Sequence, residues 1–248
     1  MDLTLTLKND LGRDFISDFN RKNPKWRIIP KCFRESHERS GYLYDDPNLG
    51  QPYFGFMRYR ILGGTAEEIR RYDVQGDIAE AGVFQGFFTV KMHELLPERK
   101  MFLYDTFEGF NEKMIEGEEK PNDIKNRNWW ADINVVSKNK DLIASIKEKL
   151  IRPEQVTFRK GYFPETAEED KSRRFCLVSL DMDLYQPTLD GLKFFYPRLN
   201  PGGYIFIHDG KFEGVQKAIK EFVRDNGMIG MVPIFDQSES YVITKAKE

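Results

Sequence analysis

The residues best placed to do chemistry are paired acids at strand ends and glycines ahead of a helix. Asp181 and Asp183, separated only by Met182, can face one side as the chain leaves a strand. Asp209, preceded by His208, follows a second strand, so three carboxylates and an imidazole could meet. Carboxylate oxygens suit a divalent cation, and imidazole adds a nitrogen donor. A cation held there would lower the pKa of a coordinated hydroxyl and make it a nucleophile at neutral pH. The structural alternative is that Asp183 caps a helix beginning near Pro187 and Asp209 one beginning near Phe212.

Upstream, GDIAEAGVFQGFF (Gly76 to Phe88) opens as a short strand and closes as a helix running through Thr89–Leu96. Gly82 and Gly86 mark a tight strand-to-helix turn where backbone can approach a ligand and free helix N–H groups can face it. KMFLYDTFEGF, from Lys100, reads as a second strand ending at Asp105. An acid about twenty residues past a glycine turn suits the hydroxyls of a ribose. The chemistry expected is therefore that of a nucleoside-containing cofactor.

Strands and helices must alternate to place these groups together. Further strands are expected at Gln155–Arg159, Arg174–Asp181 and Tyr204–Ile207, with helices at Asp141–Ile151, Pro187–Leu199 and Phe212–Asp225. Arg174–Asp181 is a continuous apolar run, as in a strand covered on both faces, and Asn200-Pro201-Gly202-Gly203 reads as a helix stop. Met231–Phe235 and Tyr241–Thr244 are close enough to pair antiparallel. The fold class is α/β, a doubly wound sheet whose ligands bind beyond the carboxyl ends of the strands. Before it, Tyr53–Tyr72 is a helical lead-in, and Met1 to about Gly50 is polar and aperiodic. This divides the chain into an N-terminal extension or cap (1–72) and a main domain (73–248).

A near-balanced charge, net −2, argues against a nucleic-acid partner held by phosphate neutralisation. Two distant cysteines, Cys32 and Cys176, make neither a disulfide framework nor a zinc site. No basic-then-apolar leader opens the chain, and no apolar run approaches the roughly 20 residues that span a bilayer. The expectation is a soluble cytoplasmic protein without a membrane partner. His93, inside the first helix, reads as a surface or packing residue, and His37 as part of a solvated face. Trp129-Trp130, in the long Asn111–Ala131 connection, could wall a substrate pocket or anchor the loop.

GDIAEAGVFQG, LYDTFEGF, KGYFPET, SLDMDLYQPTLDGLKFFYPRLNPGGYIFIHD and AIKEF, in this order from Gly76 to Phe222, resemble the macrocin O-methyltransferase (TylF) family. These are class I, S-adenosylmethionine-dependent enzymes of sugar and natural-product modification; the first seventy residues and the tail resemble them less. The resemblance implies a Rossmann-like sheet of seven strands, mostly parallel with one antiparallel. It places Glu80, Gly82 and Phe84 around the methionine part of the cofactor. Asp105 would hold the ribose, with Thr106 and Phe107 beside it, and Gly161 and Tyr162 would lie by the adenine. Asp181 matches the family's general base, and Asp183 and Asp209 two of its magnesium ligands. His208 stands where a third carboxylate is usual, so magnesium, a softer ion such as manganese, or no metal are alternative expectations. The implied acceptor is a hydroxyl of a sugar or small molecule, and by the same analogy the N-terminal arm could pack in a homodimer.

Three other functions are open to these residues. A nicotinamide oxidoreductase would carry G-x-G-x-x-G, but Glu80 replaces its first glycine. A D-x-D phosphatase would place its pair on the first core strand, with Thr or Val where Tyr185 stands. A non-catalytic nucleoside-binding module could use the same scaffold.

Overall fold

The computed structural model describes residues 52–110, 134, 137–138, 141–227, 230–234, 236 and 238–246, with side chains from 57 onward. Residues 1–51, His37 among them, and the whole Asn111–Ala131 connection with Trp129-Trp130 lie outside the described residues. Helix α1 (Pro52–Arg71) leads into strand β1 (Asp77–Ala81), α2 (Phe87–Leu95) and β2 (Met101–Asp105). Next come α3 (Leu142–Lys147), β3 (Val156–Lys160), β4 (Phe175–Leu180), α4 (Tyr185–Arg198) and β5 (Leu199–Ile207). The chain ends in α5 (Glu213–Asn226), β6 (Gly230–Pro233) and β7 (Tyr241–Thr244).

These strands form one seven-stranded sheet in the order β3-β2-β1-β4-β5-β7-β6. All neighbours pair in parallel up to β5; β7 then runs antiparallel to both β5 and β6. β1 pairs β2 on one side and β4 on the other, so the strand order reverses there and opens a crevice at the carboxyl ends. All six residues of β4 are buried, which explains its unbroken apolar run. Leu62, Ala66 and Ile69 of α1 join Phe88 and Met92 of α2 in the core on one face. Leu192 and Phe195 of α4 join Val215, Ile219 and Phe222 of α5 on the other. Thus α1, from the expected extension, packs in the same layer as α2.

Element boundaries differ from the sequence reading by one to five residues, and three of the differences have a clear local reason. α4 begins two residues before Pro187, because a proline in the first helical turn has no N–H that the helix needs. Asn200–Gly203 does not stop a helix before a separate strand; it lies within β5, where the register against β4 shifts between Phe175 and Leu177. α3 starts after Asp141, whose carboxylate caps it by accepting the Ala144 amide at 3.0 Å.

Candidate functional site

A cavity of about 300 Å³ opens at the strand ends beside the switch point between β1 and β4. Glu80, Gly82, Asp105, Gly161, Asp181 and His208 all line it, so residues from five strands or their exits converge there. Phe84, Phe107, Asp183 and Asp209 follow four of those strands and hold positive φ values of 47°, 55°, 63° and 54°. Such left-handed backbone costs energy in non-glycine residues and gathers at sites where geometry is functional.

On the β1–β2 side, Gly82 (φ 80°) presses directly on the exit of β4, and a Cβ there would lie 1.8 Å from the Asp181 carbonyl oxygen. Only glycine fits. The Asp105 carboxylate accepts the Val83 and Phe84 amides at 2.6 and 2.9 Å through Oδ2, and the Phe107 amide at 2.7 Å through Oδ1. With two acceptor directions per oxygen, Oδ1 retains one for a ligand hydroxyl. Asp105 therefore fastens the glycine loop as well as facing the cavity. The Thr106 hydroxyl donates to the Gly109 carbonyl at 2.9 Å, and Thr106 lines the cavity. Phe107 does not line it: its ring is buried against Phe158, 5.9 Å away between centroids. Phe84, Gly161 and the half-exposed Tyr162 do line it.

Glu80 is buried beneath this loop, accepting hydrogen bonds from the hydroxyls of Thr89 on α2 and Ser179 on β4. Burial pushes its carboxyl up to about 8, against the opposing pull of the Thr89 hydrogen bond, so it is neutral at pH 7.

On the β4–β5 side lies a charge cluster. His208 Nδ1 sits 2.8 Å from both Asp181 Oδ1 and Asp209 Oδ2. Asp181 Oδ2 is paired with Arg58 Nη1 at 3.2 Å. Burial and the Arg58 charge push the imidazole down, but Asp181 and Asp209 outweigh them and raise it to about 9. Burial raises the Asp209 carboxyl, yet His208 outweighs it and holds Asp209 well below its ordinary value. Asp183 moves the other way: burial, then the charges of Asp209 and Asp181, hold it well above its ordinary range, and it hydrogen-bonds Asp209. Neither Asp183 nor Asp209 is a helix cap. The caps of α4 and α5 are Leu184 and Phe212, neither with a side-chain cap bond. Ligand atoms of Asp181, His208 and Asp209 lie within 4.8 Å of one another, whereas the expected metal set was Asp183, His208 and Asp209.

Arg58 was absent from the sequence reading of the site. Its signal was present: it falls four residues before Leu62 on the stripe that Ala66 and Ile69 continue, a charge on the buried face of a helix. His93 is a packing residue, fully buried, with burial lowering its imidazole. Among the described residues no helix is long and apolar enough to cross a membrane.

Residues 8–242 match the family described as Macrocin-O-methyltransferase (TylF), well beyond the Gly76–Phe222 stretch marked by the motifs. The Mycinamicin III 3''-O-methyltransferase of Micromonospora griseorubida is 27% identical over 228 residues, 86% of this chain and 85% of that protein. A tetracenomycin-C 4'-O-methyltransferase of Streptomyces olivaceus, whose named substrate carries a dimethoxy-rhamnosyl group, is 26% identical over 72% of this chain and 69% of its own. Among solved structures, the O-methyltransferase NovP superposes with a TM-score of 0.62 at 19% identity, covering 77% of this chain and 81% of NovP. The calicheamicin methyltransferase CalS11 gives 0.54 at 18% identity, covering 86% and 93%. Both share the Rossmann-like sheet described above. These matches set aside the oxidoreductase, phosphatase and non-catalytic alternatives: the chain belongs to the macrocin-O-methyltransferase (TylF) family of S-adenosylmethionine-dependent O-methyltransferases.

Proposed function

We propose that this enzyme transfers the methyl group of S-adenosylmethionine to a hydroxyl on a sugar of a small natural product. The observation that carries the reading is one cavity with two chemically different walls, joined where Gly82 meets Asp181. Glu80, Gly82, Phe84, Asp105, Gly161 and Tyr162 suit the cofactor, and the Asp181–His208–Asp209 cluster suits the acceptor. The two relatives named above, which methylate mycinamicin III and a rhamnosylated tetracenomycin, support a glycosylated acceptor.

The sulfonium carbon is already electrophilic, so the protein's main task is to align an acceptor oxygen for in-line attack. As the O–CH3 bond forms, the S–CH3 bond breaks, the sulfonium becomes a neutral thioether, and the hydroxyl proton must leave. Asp181 is the base in this reading. Both its oxygens are paired, yet each keeps a lone pair for the acceptor O–H. A proton leaving an oxygen that already carries the methyl group needs only a weak base such as a carboxylate. His208 and Asp209 hold the carboxylate in place.

Two carboxylate oxygens and one imidazole nitrogen within 4.8 Å fit a divalent ion of the manganese type better than magnesium. Asp181, His208 and Asp209 would hold it, once His208 has released the proton that the two acids stabilise. When bound, such an ion makes a hydroxyl it touches more acidic.

The test is a methyl-transfer assay on glycosides and their aglycones, read by mass. Methylation confined to the sugar, with Asp181→Asn lowering kcat about a hundredfold at unchanged S-adenosylhomocysteine affinity, is expected. Transfer to the aglycone alone would sink the acceptor reading, and full activity of Asp181→Asn the base.

A further inference from the structure

Arg58 reaches this site from α1, 123 residues before its partner Asp181. Its side chain is only 11% exposed, with Nη1 3.2 Å from Asp181 Oδ2 and the guanidinium 4.3 Å over the Phe88 ring. Phe88 is itself pinned, 5.4 Å from Tyr59 and 5.8 Å from Phe206 between ring centroids. Among the described residues lining the cavity, Glu80, Asp105, Asp181 and Asp183 are acidic, and only Arg58 and His208 are basic. Of the two, the imidazole can give up its proton and become a ligand, whereas the guanidinium stays charged.

We propose that Arg58 is the built-in counter-cation of Asp181: a positioning residue that fixes this carboxylate and sets how weakly a divalent ion binds at Asp181, His208 and Asp209. The inference rests on the reading of Asp181 as the acid that meets the acceptor. An ion entering the trio must share Asp181 with a positive charge already seated on its second oxygen. That charge repels the ion and closes bidentate ligation. In return, the guanidinium, stacked on Phe88, fixes the plane of Asp181, so its first oxygen stays on His208 and the carboxylate stays at the cavity wall. A fixed cation thus does part of the ordering that a bound metal would otherwise do.

Manganese(II) alone is the probe, followed by electron paramagnetic resonance of the free ion in titrations of the full-length, metal-free protein. Calorimetry with S-adenosylhomocysteine runs in parallel. Arg58→Met should bind manganese about tenfold tighter than the wild type, and Arg58→Lys, which keeps the charge, should stay within about threefold of it. Arg58→Gln, which keeps a donor for Asp181 but no charge, should tighten like Arg58→Met, and it carries the test if the Met variant does not fold. Adding Asp181→Asn to either should abolish the gain. Equal manganese affinity in wild type, Met and Gln variants, including no binding in any, overturns the proposal; so does a gain that survives Asp181→Asn. Failure of the wild type to bind S-adenosylhomocysteine would instead count against the methyltransferase reading of the cavity.

Discussion

Gly82 and Asp181 meet backbone to backbone: a Cβ on Gly82 would lie 1.8 Å from the Asp181 carbonyl oxygen and 2.5 Å from its carbonyl carbon. The glycine loop after β1 and the acid after β4 are therefore set against each other without an intervening side chain. Gly82→Ala adds a clash that no rotamer can relieve, at a φ of 80° that alanine resists. A loss of about 3 kcal/mol or more is expected, together with loss of S-adenosylhomocysteine binding. Chemical denaturation and calorimetry check it; a variant with wild-type stability and affinity would mean that the two strand ends are not in contact.

Asp105 fastens the glycine loop and also faces the cavity. Because it accepts amides from Val83, Phe84 and Phe107, Asp105→Ala should cost stability as well as ligand affinity. Each loss should be about 1–3 kcal/mol, the range for hydrogen bonds to a charged group. Asp105→Asn should fall between, since one amide oxygen can still serve Val83 and Phe84 while its NH2 meets the Phe107 donor. Thermal unfolding beside ligand titration separates the two effects. An unchanged melting temperature in Asp105→Ala would show that the carboxylate does not fasten the loop.

What was legible in the chain was whatever local pattern encodes. β4 betrayed itself by an unbroken apolar run, and the Gly82 turn and Asp105 by their spacing and strand-end positions. The acids of D-x-D were ambiguous because an aspartate before a helix is usually a cap. Only the observed caps, Leu184 and Phe212, remove that alternative for Asp183 and Asp209. Phe107 was misleading in the other direction: its neighbours line the cavity, while its own ring turns into the core against Phe158. The Asn200–Gly203 run read as a break because composition cannot show that β4 pairs the residues on either side of it and that Gly202 and Gly203 bond Lys245, just past β7. Arg58 was hidden for a topological reason. Its partner lies 123 residues away, and a charged residue on a helix carries no mark of the acid it will meet.

Glu80 gives a pH dependence with a definite sign. Its carboxyl sits at about 8 in the fold, above the value of about 4.3 expected in an unfolded chain, so the folded state holds the extra proton between them. The stability this contributes is present below about pH 4 and is lost as pH rises through 8. Glu80→Gln cannot ionise and should escape that loss. Relative to wild type it should gain stability progressively between about pH 4 and 8, measured by denaturant midpoints. The same substitution should weaken S-adenosylhomocysteine, because a Gln cannot become the anion that would face the ligand's ammonium. Parallel stability curves for the two proteins across that range would refute the burial of a neutral Glu80.

Asp170 anchors the outer wall of the cavity and gives the opposite pH sign. Fully buried in the short 3₁₀ turn Glu165–Asp170, it accepts Arg159 Nε and Nη2 at 2.9 and 3.1 Å, Arg173 Nε at 2.7 Å and the Tyr104 hydroxyl at 3.0 Å. Tyr104 lines the cavity from β2, and Arg173 also grips Asp77 at the start of β1, at 3.1 Å. Burial pulls the Asp170 carboxyl up, but hydrogen bonds from Arg159, Arg173 and Tyr104 outweigh it and hold it below its ordinary value. The stability it supplies is present above about pH 4 and lost as pH falls below it. Asp170→Ala leaves a buried phenol unpaired and takes the shared acid from two guanidiniums, which keep Glu169 and Asp77 as partners; it should cost about 2–3 kcal/mol at pH 7, while Tyr104→Phe, losing one bond of the set, should cost about 1 kcal/mol. Urea titrations between pH 7 and 3 distinguish the cases. Wild type should converge on Asp170→Ala as acid removes the carboxylate, and Tyr104→Phe, which keeps the Arg159 and Arg173 bonds, should keep most of the wild-type slope. A gap between wild type and Asp170→Ala that stays constant down to pH 3 would mean the network is held by packing rather than by this charge.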